Sequence, residues 1–340
     1  MYILGIETSC DDTCAAVLCD DHIISNVISS QIDLHAEWGG VVPDIAKRAH
    51  QERIGPVVAT ALKRARKTID QIDLIAVTRG PGLGIALAVG FKYALNLAKN
   101  SNKPLVAVNH VEGHLLSVFL KNSKGQPNLT PIFPCLGLTV SGGHTKIVLL
   151  EDIGDYHIVG ETLDDAAGEA LDKSAKLLGL GYPGGPVIER IAKGGDAHFL
   201  KLPSPLPEKV NFNLSFSGLK TSFYYQIKDW SIDKKMEHLS DLAATFQTSV
   251  FDHLLRKFSF VIDEYQPKSI LASGGVMANT ELRSRLRKLA RTKSLPLYLP
   301  QQKKLNTDNA AMIALAGYHQ FKRLGSSKLT DLDISSRFEL

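Results

Sequence analysis

The chain has 340 residues, 44% of them hydrophobic and 22% charged, which is material for two domains with substantial cores. A formal net charge of only +4 means that no global basic field dictates a nucleic-acid partner, although local basic patches leave one open. The N-terminus begins directly in a strand-like run, no apolar stretch reaches membrane-spanning length, and the four cysteines (Cys10, Cys14, Cys19, Cys135) lack C-x-x-C spacing. The expectation is a cytoplasmic protein with reduced thiols, no signal peptide and no membrane span.

Strand-like and helix-like segments alternate along the chain, the pattern of an α/β fold. Tyr2–Ile6 and Ala15–Leu18 read as strands around a polar turn, Glu7-Thr8-Ser9-Cys10-Asp11-Asp12-Thr13. Ile72–Val77 and Leu105–Val108 are short apolar strands on either side of a helix over Ile85–Ala98. Asn122–Pro134 is the best linker candidate, and Cys135–Val140 and Lys146–Leu150 then flank a second polar turn. Helices are expected at Ala166–Leu178, Asp241–Ile262 and Thr280–Ala290, with a strand at Ser269–Ala272 and a Pro-rich loop at Lys201–Asn213. The last twenty residues carry no interpretable motif.

The two strand–turn–strand units are related by a shift of 132 residues, which places Leu4, Gly5, Ser9, Thr13 and Leu18 on Leu136, Gly137, Ser141, Thr145 and Leu150. The match is compatible with coincidence, but the spacing of whole elements favours duplication into two similar α/β halves. Each half then opens with a hairpin whose turn can present backbone N–H groups to an anion.

Several motifs carry chemistry. His110 and His114 are four apart, so a helix would stack them on one face where both can reach one divalent metal, or they are simply two core or surface histidines. Glu112 sits two residues after His110 rather than one, which disfavours the H-E-x-x-H peptidase arrangement. In Val140-Ser141-Gly142-Gly143-His144-Thr145 the glycines permit positive φ and the hydroxyls suit a phosphate; a plain β-turn is the alternative. Ser273-Gly274-Gly275 precedes the helix that opens near Asn279, a position suited to a phosphate or adenosine contact, yet no Walker A lysine follows. Arg79-Gly80-Pro81-Gly82-Leu83-Gly84 reads chiefly as packing and turn chemistry. Asp165, Glu169 and Asp172 would share one helix face, where a cation, a hydroxyl-rich ligand or solvent relieves their repulsion. The basic runs Arg283–Lys293 and Lys63–Lys67 read as wet helix faces, with RNA contact as the alternative, and lack interleaved aromatics.

Taken together and in order, Gly5–Asp12, Asn109–His114, Val140–Thr145, the Asp164–Lys173 helix, Tyr182–Pro186, Ser215–Thr221, Ser273–Asn279 and Thr307-Asp308-Asn309-Ala310 resemble the TsaD family. Its members are tRNA threonylcarbamoyladenosine transferases, once described as glycoproteases, and the likeness covers roughly residues 1–320. It implies the actin-like ATPase fold shared with sugar kinases and heat-shock chaperones: two duplicated RNase H-like domains around a central cleft. The first would comprise residues 1–130 plus about 300–325, the second 131–299. It also implies a metal held by His110, His114 and Asp308, iron(II) in the first instance and zinc(II) as the alternative. Val140, Ser141, Gly142, Gly143, His144, Asp172, Gly185, Glu189 and Asn279 would contact threonylcarbamoyl-AMP, with ATP and Mg2+ as a further nucleotide option. Asp12 stands where many members have Glu and Glu189 where many have Asp; Asp12 is the one candidate general base.

The implied reaction moves threonylcarbamoyl from its adenylate to N6 of adenosine 37 in the anticodon loop of tRNAs that read codons beginning with A. AMP is released, TsaB and TsaE are partners, and TsaC supplies the adenylate. A non-catalytic partner subunit of the same fold would be expected to lack the metal motif. A small-molecule kinase would need an aspartate base that no motif here specifies, and a metallopeptidase is disfavoured by Glu112.

Overall fold

A computed structural model describes residues 1–327 and 333–340. They form two compact units: Met1–Pro131 with Asp152–Tyr156 and Leu299–Leu340, and Ile132–Glu151 with His157–Tyr298. The first opens with three antiparallel strands, β1 (Tyr2–Glu7), β2 (Asp12–Cys19) and β3 (His22–Ser30), followed by a short α1 (Ile32–Ala36) and the long α2 (Pro43–Ala65). Then come β4 (Leu74–Gly80), α3 (Gly84–Ser101), β5 (Leu105–Asn109) and α4 (His110–Leu116). The sheet order is β3-β2-β1-β4-β5, with β1–β4 and β4–β5 parallel.

The second unit contains β6 (Cys135–Val140) and most of β7 (Thr145–Asp152) and β8 (Asp155–Glu161), then α5 (Ala167–Leu177), α6 (Gly184–Ile191), α7 (Ser217–Ile227), α8 (Ile232–Glu237) and α9 (Leu239–Tyr265). It closes with β9 (Ser269–Ser273), α10 (Thr280–Thr292) and β10 (Leu297–Tyr298). Its order, β10-β9-β6-β7-β8, is the first sheet's order when each unit's strands are counted from its own start. The first strand again pairs antiparallel with the second and parallel with the fourth. The 132-residue shift lays β1 on β6 and β2 on β7 to within a residue, so the sequence repeat is a repeat of structure.

The chain returns to the first unit through α11 (Ala310–Leu324). On one face of that unit's sheet, Leu4, Ile6, Ala15 and Val17 pack with Ile54, Val57 and Ala61 of α2 and Phe91 and Ala94 of α3. On the other face α11 lies unusually close, because small residues line the contact. A Cβ on Gly5 would stand 2.2 Å from the Ala310 carbonyl oxygen, and one on Gly317 would stand 2.4 Å from the Ala76 methyl. Burial on both faces explains the unbroken apolar runs of β1, β2 and β4.

The basic run at residues 63–67 has a helix-end explanation. Lys63 and Arg64 occupy the last turn of α2, where cations meet the negative end of the helix dipole. Arg66 takes the left-handed C-cap at φ 53°, and Lys67 lies 3.8 Å from the Tyr2 ring.

Candidate metal centre and adjoining turns

The centre is assembled from β1, α4 and the approach to α11, all in the first unit. Asn109 caps α4, its Oδ1 accepting from the Val111 and Glu112 amides at 2.8 and 3.3 Å. The helix starts at His110, and His114 follows one turn later with its ring edge-on to the first, 4.6 Å between centroids. Asn309 caps α11 by accepting from the Met312 amide, which leaves Asp308 just ahead of the helix. Gly113 lets the two helices meet closely: a Cβ there would be 2.9 Å from Ile313 Cδ1.

Asp308 Oδ1 thereby comes within 3.5 Å of His110 Nε2 and 3.2 Å of His114 Nε2. The three residues form a cluster whose ligand atoms all lie within 4.8 Å of one another. His114 is fully buried and its Nε2, which faces Asp308, has no hydrogen bond of acceptable geometry, so a cation at the point of convergence would give that nitrogen a partner. Two imidazoles and a carboxylate fit a divalent transition metal such as iron or zinc.

Glu7, which sequence reasoning did not nominate, completes the arrangement. Its fully buried carboxylate accepts from the Ser9 amide and the Thr78 hydroxyl, and Oε2 lies 3.1 Å from His110 Nδ1. A carboxylate at Nδ1 fixes the tautomer and leaves Nε2 to the metal, the usual outer support of a ligating histidine. Burial opposes charge on both partners. The Asp308 and Glu7 carboxylates nonetheless raise His110 to about 9, while His110 in turn holds Glu7 below the ordinary carboxyl range. His114, buried and beside a charged His110, is pushed down.

Asp12, at the start of β2, is raised to about 7 by burial, with Asp308, Asp11 and Glu7 adding to the effect against a hydrogen bond from Ser30. Its Oδ1 is buried without a hydrogen-bond partner among the described residues. Glu112 is turned to other work, accepting from Tyr156 Oη at 3.0 Å.

The remaining nominated residues belong to the second unit. In the β6–β7 turn the Ser141 amide donates to the His144 carbonyl at 2.8 Å, and the His144 amide to Ser141 Oγ at 3.0 Å. Neither Gly142 nor Gly143 has positive φ, contrary to the expectation for this turn. Their value is openness instead: both are exposed and a Cβ on either would meet nothing within 4 Å. Val140, by contrast, is buried, and Gly274 (φ 97°) packs on its backbone so closely that a Cβ there would stand only 2.4 Å from the Val140 carbonyl oxygen.

Asp172 Oδ1 accepts from the Gly184 and Gly185 amides at 2.7 and 3.1 Å. Glu189 Oε1 accepts from the Thr280 amide at 2.8 Å, and Asn279 caps α10 while donating to Gln247 Oε1 at 2.8 Å. The expected row of three helical carboxylates is not formed. Asp165 precedes α5 and binds Lys173 and Lys220 at 2.6 and 2.7 Å, Glu169 binds Lys173 at 2.8 Å, and Asp172 serves α6.

On α10, Leu282, Leu286 and Ala290 are buried, Arg285 pairs with Asp252, Lys293 pairs with Asp263, and Arg287, Lys288 and Arg291 are exposed. The aromatics missing from that run occur elsewhere. Exposed Tyr224 and Tyr225 of α7, with Lys220, line a groove of about 430 Å³ opposite Lys173 and Lys176 of α5.

The duplicated sheet defines the class, an actin-like ATPase fold, here carrying a cluster of two histidines and one carboxylate. HypF from T. kodakarensis has a similar fold, with a TM-score of 0.63 at 14% identity over 97% of this chain and 49% of HypF, so this chain spans about half of HypF's length. Over almost the full length of both chains, the protein is 47% identical to the tRNA N6-adenosine threonylcarbamoyltransferase of Thermodesulfovibrio yellowstonii (99% of this chain, 98% of the relative). It is 46% identical to that of an Anaeromyxobacter species (100% of both) and 45% identical to that of Thermosipho africanus (97% of both). The TsaD family model, described as tRNA N6-adenosine threonylcarbamoyltransferase, matches residues 22–315, and the chain belongs to that family.

Proposed function

We propose that the protein transfers threonylcarbamoyl from threonylcarbamoyl-AMP to N6 of adenosine 37 in tRNAs that read codons beginning with A. The convergence of His110, His114 and Asp308 on one point, with Asp12 in the same unit, is the observation that carries the reading. A bound iron(II), or zinc(II), would supply Lewis acidity toward a phosphate or carbamoyl oxygen. Glu7 holds the His110 ring in place. As the adenosine N6 attacks the carbamoyl carbon, Asp12 accepts the amine proton; the bond from that carbon to the phosphate oxygen breaks and AMP leaves with the electron pair. Burial raises the Asp12 carboxyl, the direction that suits a proton acceptor working at neutral pH.

The exposed Gly142–Gly143 backbone offers amides to the leaving phosphate, and Ser141, His144, Asp172, Gly185, Glu189 and Asn279 hold the surrounding turns in shape. A single-stranded RNA loop needs cations beside stacking surfaces, and Lys176 with Tyr224 and Tyr225 in the α5–α7 groove offers both. TsaB and TsaE would act with the chain, and TsaC would supply the adenylate, in the cytoplasm. No helix among the described residues is long and apolar enough to cross a membrane.

The test is to incubate the protein with threonylcarbamoyl-AMP, unmodified tRNA and these partners, and to look for the modified nucleoside by mass spectrometry after digestion. Product is expected, and its loss with His110→Ala. Failure with every partner combination would instead favour a non-catalytic subunit of the same fold.

A further inference from the structure

Residues 333–340 lie as a strap across the β4–α3 turn and the start of α4. The Ser335 amide donates to the Arg79 carbonyl at 3.0 Å, Arg79 Nε donates to the Asp333 carbonyl at 2.5 Å, and the Arg79 guanidinium sits 4.7 Å from the Phe338 ring centroid. Gly80, at φ 153°, makes room for the strap: a Cβ there would fall 1.8 Å from the Ser335 carbonyl oxygen. Asn109 Nδ2 then donates to the Phe338 and Glu339 carbonyls at 3.1 and 3.0 Å.

Asn109 is 5% exposed, and its amide makes all four hydrogen bonds open to it: two from Nδ2 to the strap and two into Oδ1 from α4. The next residue is His110. A second connection runs through the turn, where the Leu83 amide donates to the Ser9 carbonyl at 2.8 Å and Ser9 Oγ lies 3.2 Å from His110 Nδ1. At seven residues, α4 has too few internal hydrogen bonds to set its own orientation, so its ends must do so.

We propose that the strap and Asn109 form a positioning clamp that holds His110 where its Nε2 converges with His114 and Asp308. Asn109 is a positioning residue, acting on the metal centre only through the helix it caps. The inference rests on the reading of the triad as a metal site.

The test uses Co(II) as probe, its affinity measured by chelator competition with the full chain and with three variants. One ends at residue 332, one is Asn109→Asp, and one combines both changes. Asn109→Asp keeps the oxygen that accepts both cap hydrogen bonds and loses the Nδ2 that donates both to the strap. Each single change is expected to weaken Co(II) binding by about 10-fold, the lower end for groups that orient a metal's ligands. The combined variant is expected to lose no more than the larger single loss, because both changes release one contact.

A strap that matters only for stability would lower the melting temperature of the metal-free chain and leave Co(II) affinity unchanged. That result, or additive losses, would overturn the clamp. Should the shortened chain not fold, Arg79→Ala, which frees Asp333 and Phe338, takes its place in the same cycle. Absence of Co(II) binding by the unaltered chain would instead overturn the metal reading itself.

Discussion

Glu7 and Asp12 show how two carboxyls at opposite ends of one turn acquire different duties from their surroundings. Glu7 is tied by Ser9, Thr78 and His110 and stays ionised, whereas Asp12 has one buried oxygen without a partner and titrates near neutrality. Glu7→Gln should therefore weaken Co(II) binding by roughly 10- to 100-fold, since an amide cannot accept from Ser9, Thr78 and His110 together; chelator competition reads this directly. Asp12→Asn should leave Co(II) affinity within about 2-fold while lowering single-turnover nucleoside formation by about 100-fold or more, the usual range for a general base. Weakened metal binding in Asp12→Asn would move that residue from proton transfer to the metal's support. His110 and His114 were legible as a pair because helical spacing alone aligns them. Asp308 entered only through family resemblance, and Glu7 did not enter at all: 103 residues separate it from His110, and only the β1–α4 packing joins them.

At the scale of elements, β1, β2, β4–β7, β9 and the hairpin turns were legible because apolar runs bounded by polar turns are local signals, whereas β3, β8 and β10, only partly buried, were not placed. The sequence reading did not place α2 or α11. An interior Pro56 interrupts the pattern of α2, and α11 is buried through Ala310–Tyr318, so it has no polar stripe to mark its period. The Pro-rich loop at 201–213 was foreseen as a loop, but not how α9 secures it. Buried Lys257 donates to the Glu208 carbonyl at 2.9 Å and to the Asn211 carbonyl, and Arg256 reaches the Pro205 carbonyl at 2.7 Å.

His253 of α9 lies beside these cations, 1% exposed, with the Ser215 amide donating to Nε2 at 3.1 Å and Arg256 at 3.0 Å from Nδ1. Burial first, then Arg256 and Lys257, push its pKa from 6.5 to about 4. The folded ring stays neutral while the unfolded ring takes up a proton below 6.5, so its stabilising contribution is complete above that pH and is lost as pH falls towards 4. The loss amounts to roughly 3 kcal/mol at most. Urea unfolding of the chain and of His253→Gln should show a stability gap at pH 7 that narrows steadily towards pH 4.5. A gap of constant size across that range would show that the ring's proton plays no part.

For the whole molecule, the duplication explains why one sheet order occurs twice while the two opening turns carry different chemistry. In the first unit the turn is filled with acidic and hydroxyl groups packed against the cluster of two histidines and a carboxylate, and in the second its counterpart is an exposed pair of glycines. The repeat was legible because the scaffold residues Leu4, Gly5, Thr13 and Leu18 share their spacing with Leu136, Gly137, Thr145 and Leu150. The different uses of the turns were not, because a glycine in sequence does not reveal whether it serves strain, close packing or access. The structure separates these uses. Gly274 is required by its positive φ and by the Val140 backbone against it, whereas Gly142 has ordinary φ and open space where a Cβ would stand. Gly274→Ala should accordingly cost about 1–3 kcal/mol of stability, seen as a lower urea midpoint. Gly142→Ala should leave that midpoint unchanged. If its backbone is where the leaving phosphate sits, the same methyl should weaken AMP binding by about 10-fold in calorimetry, because close approach of an anion to the amide is what the glycine permits. Unchanged AMP affinity in Gly142→Ala, with the fold intact, would place the phosphate elsewhere and leave this turn a simple connection between β6 and β7.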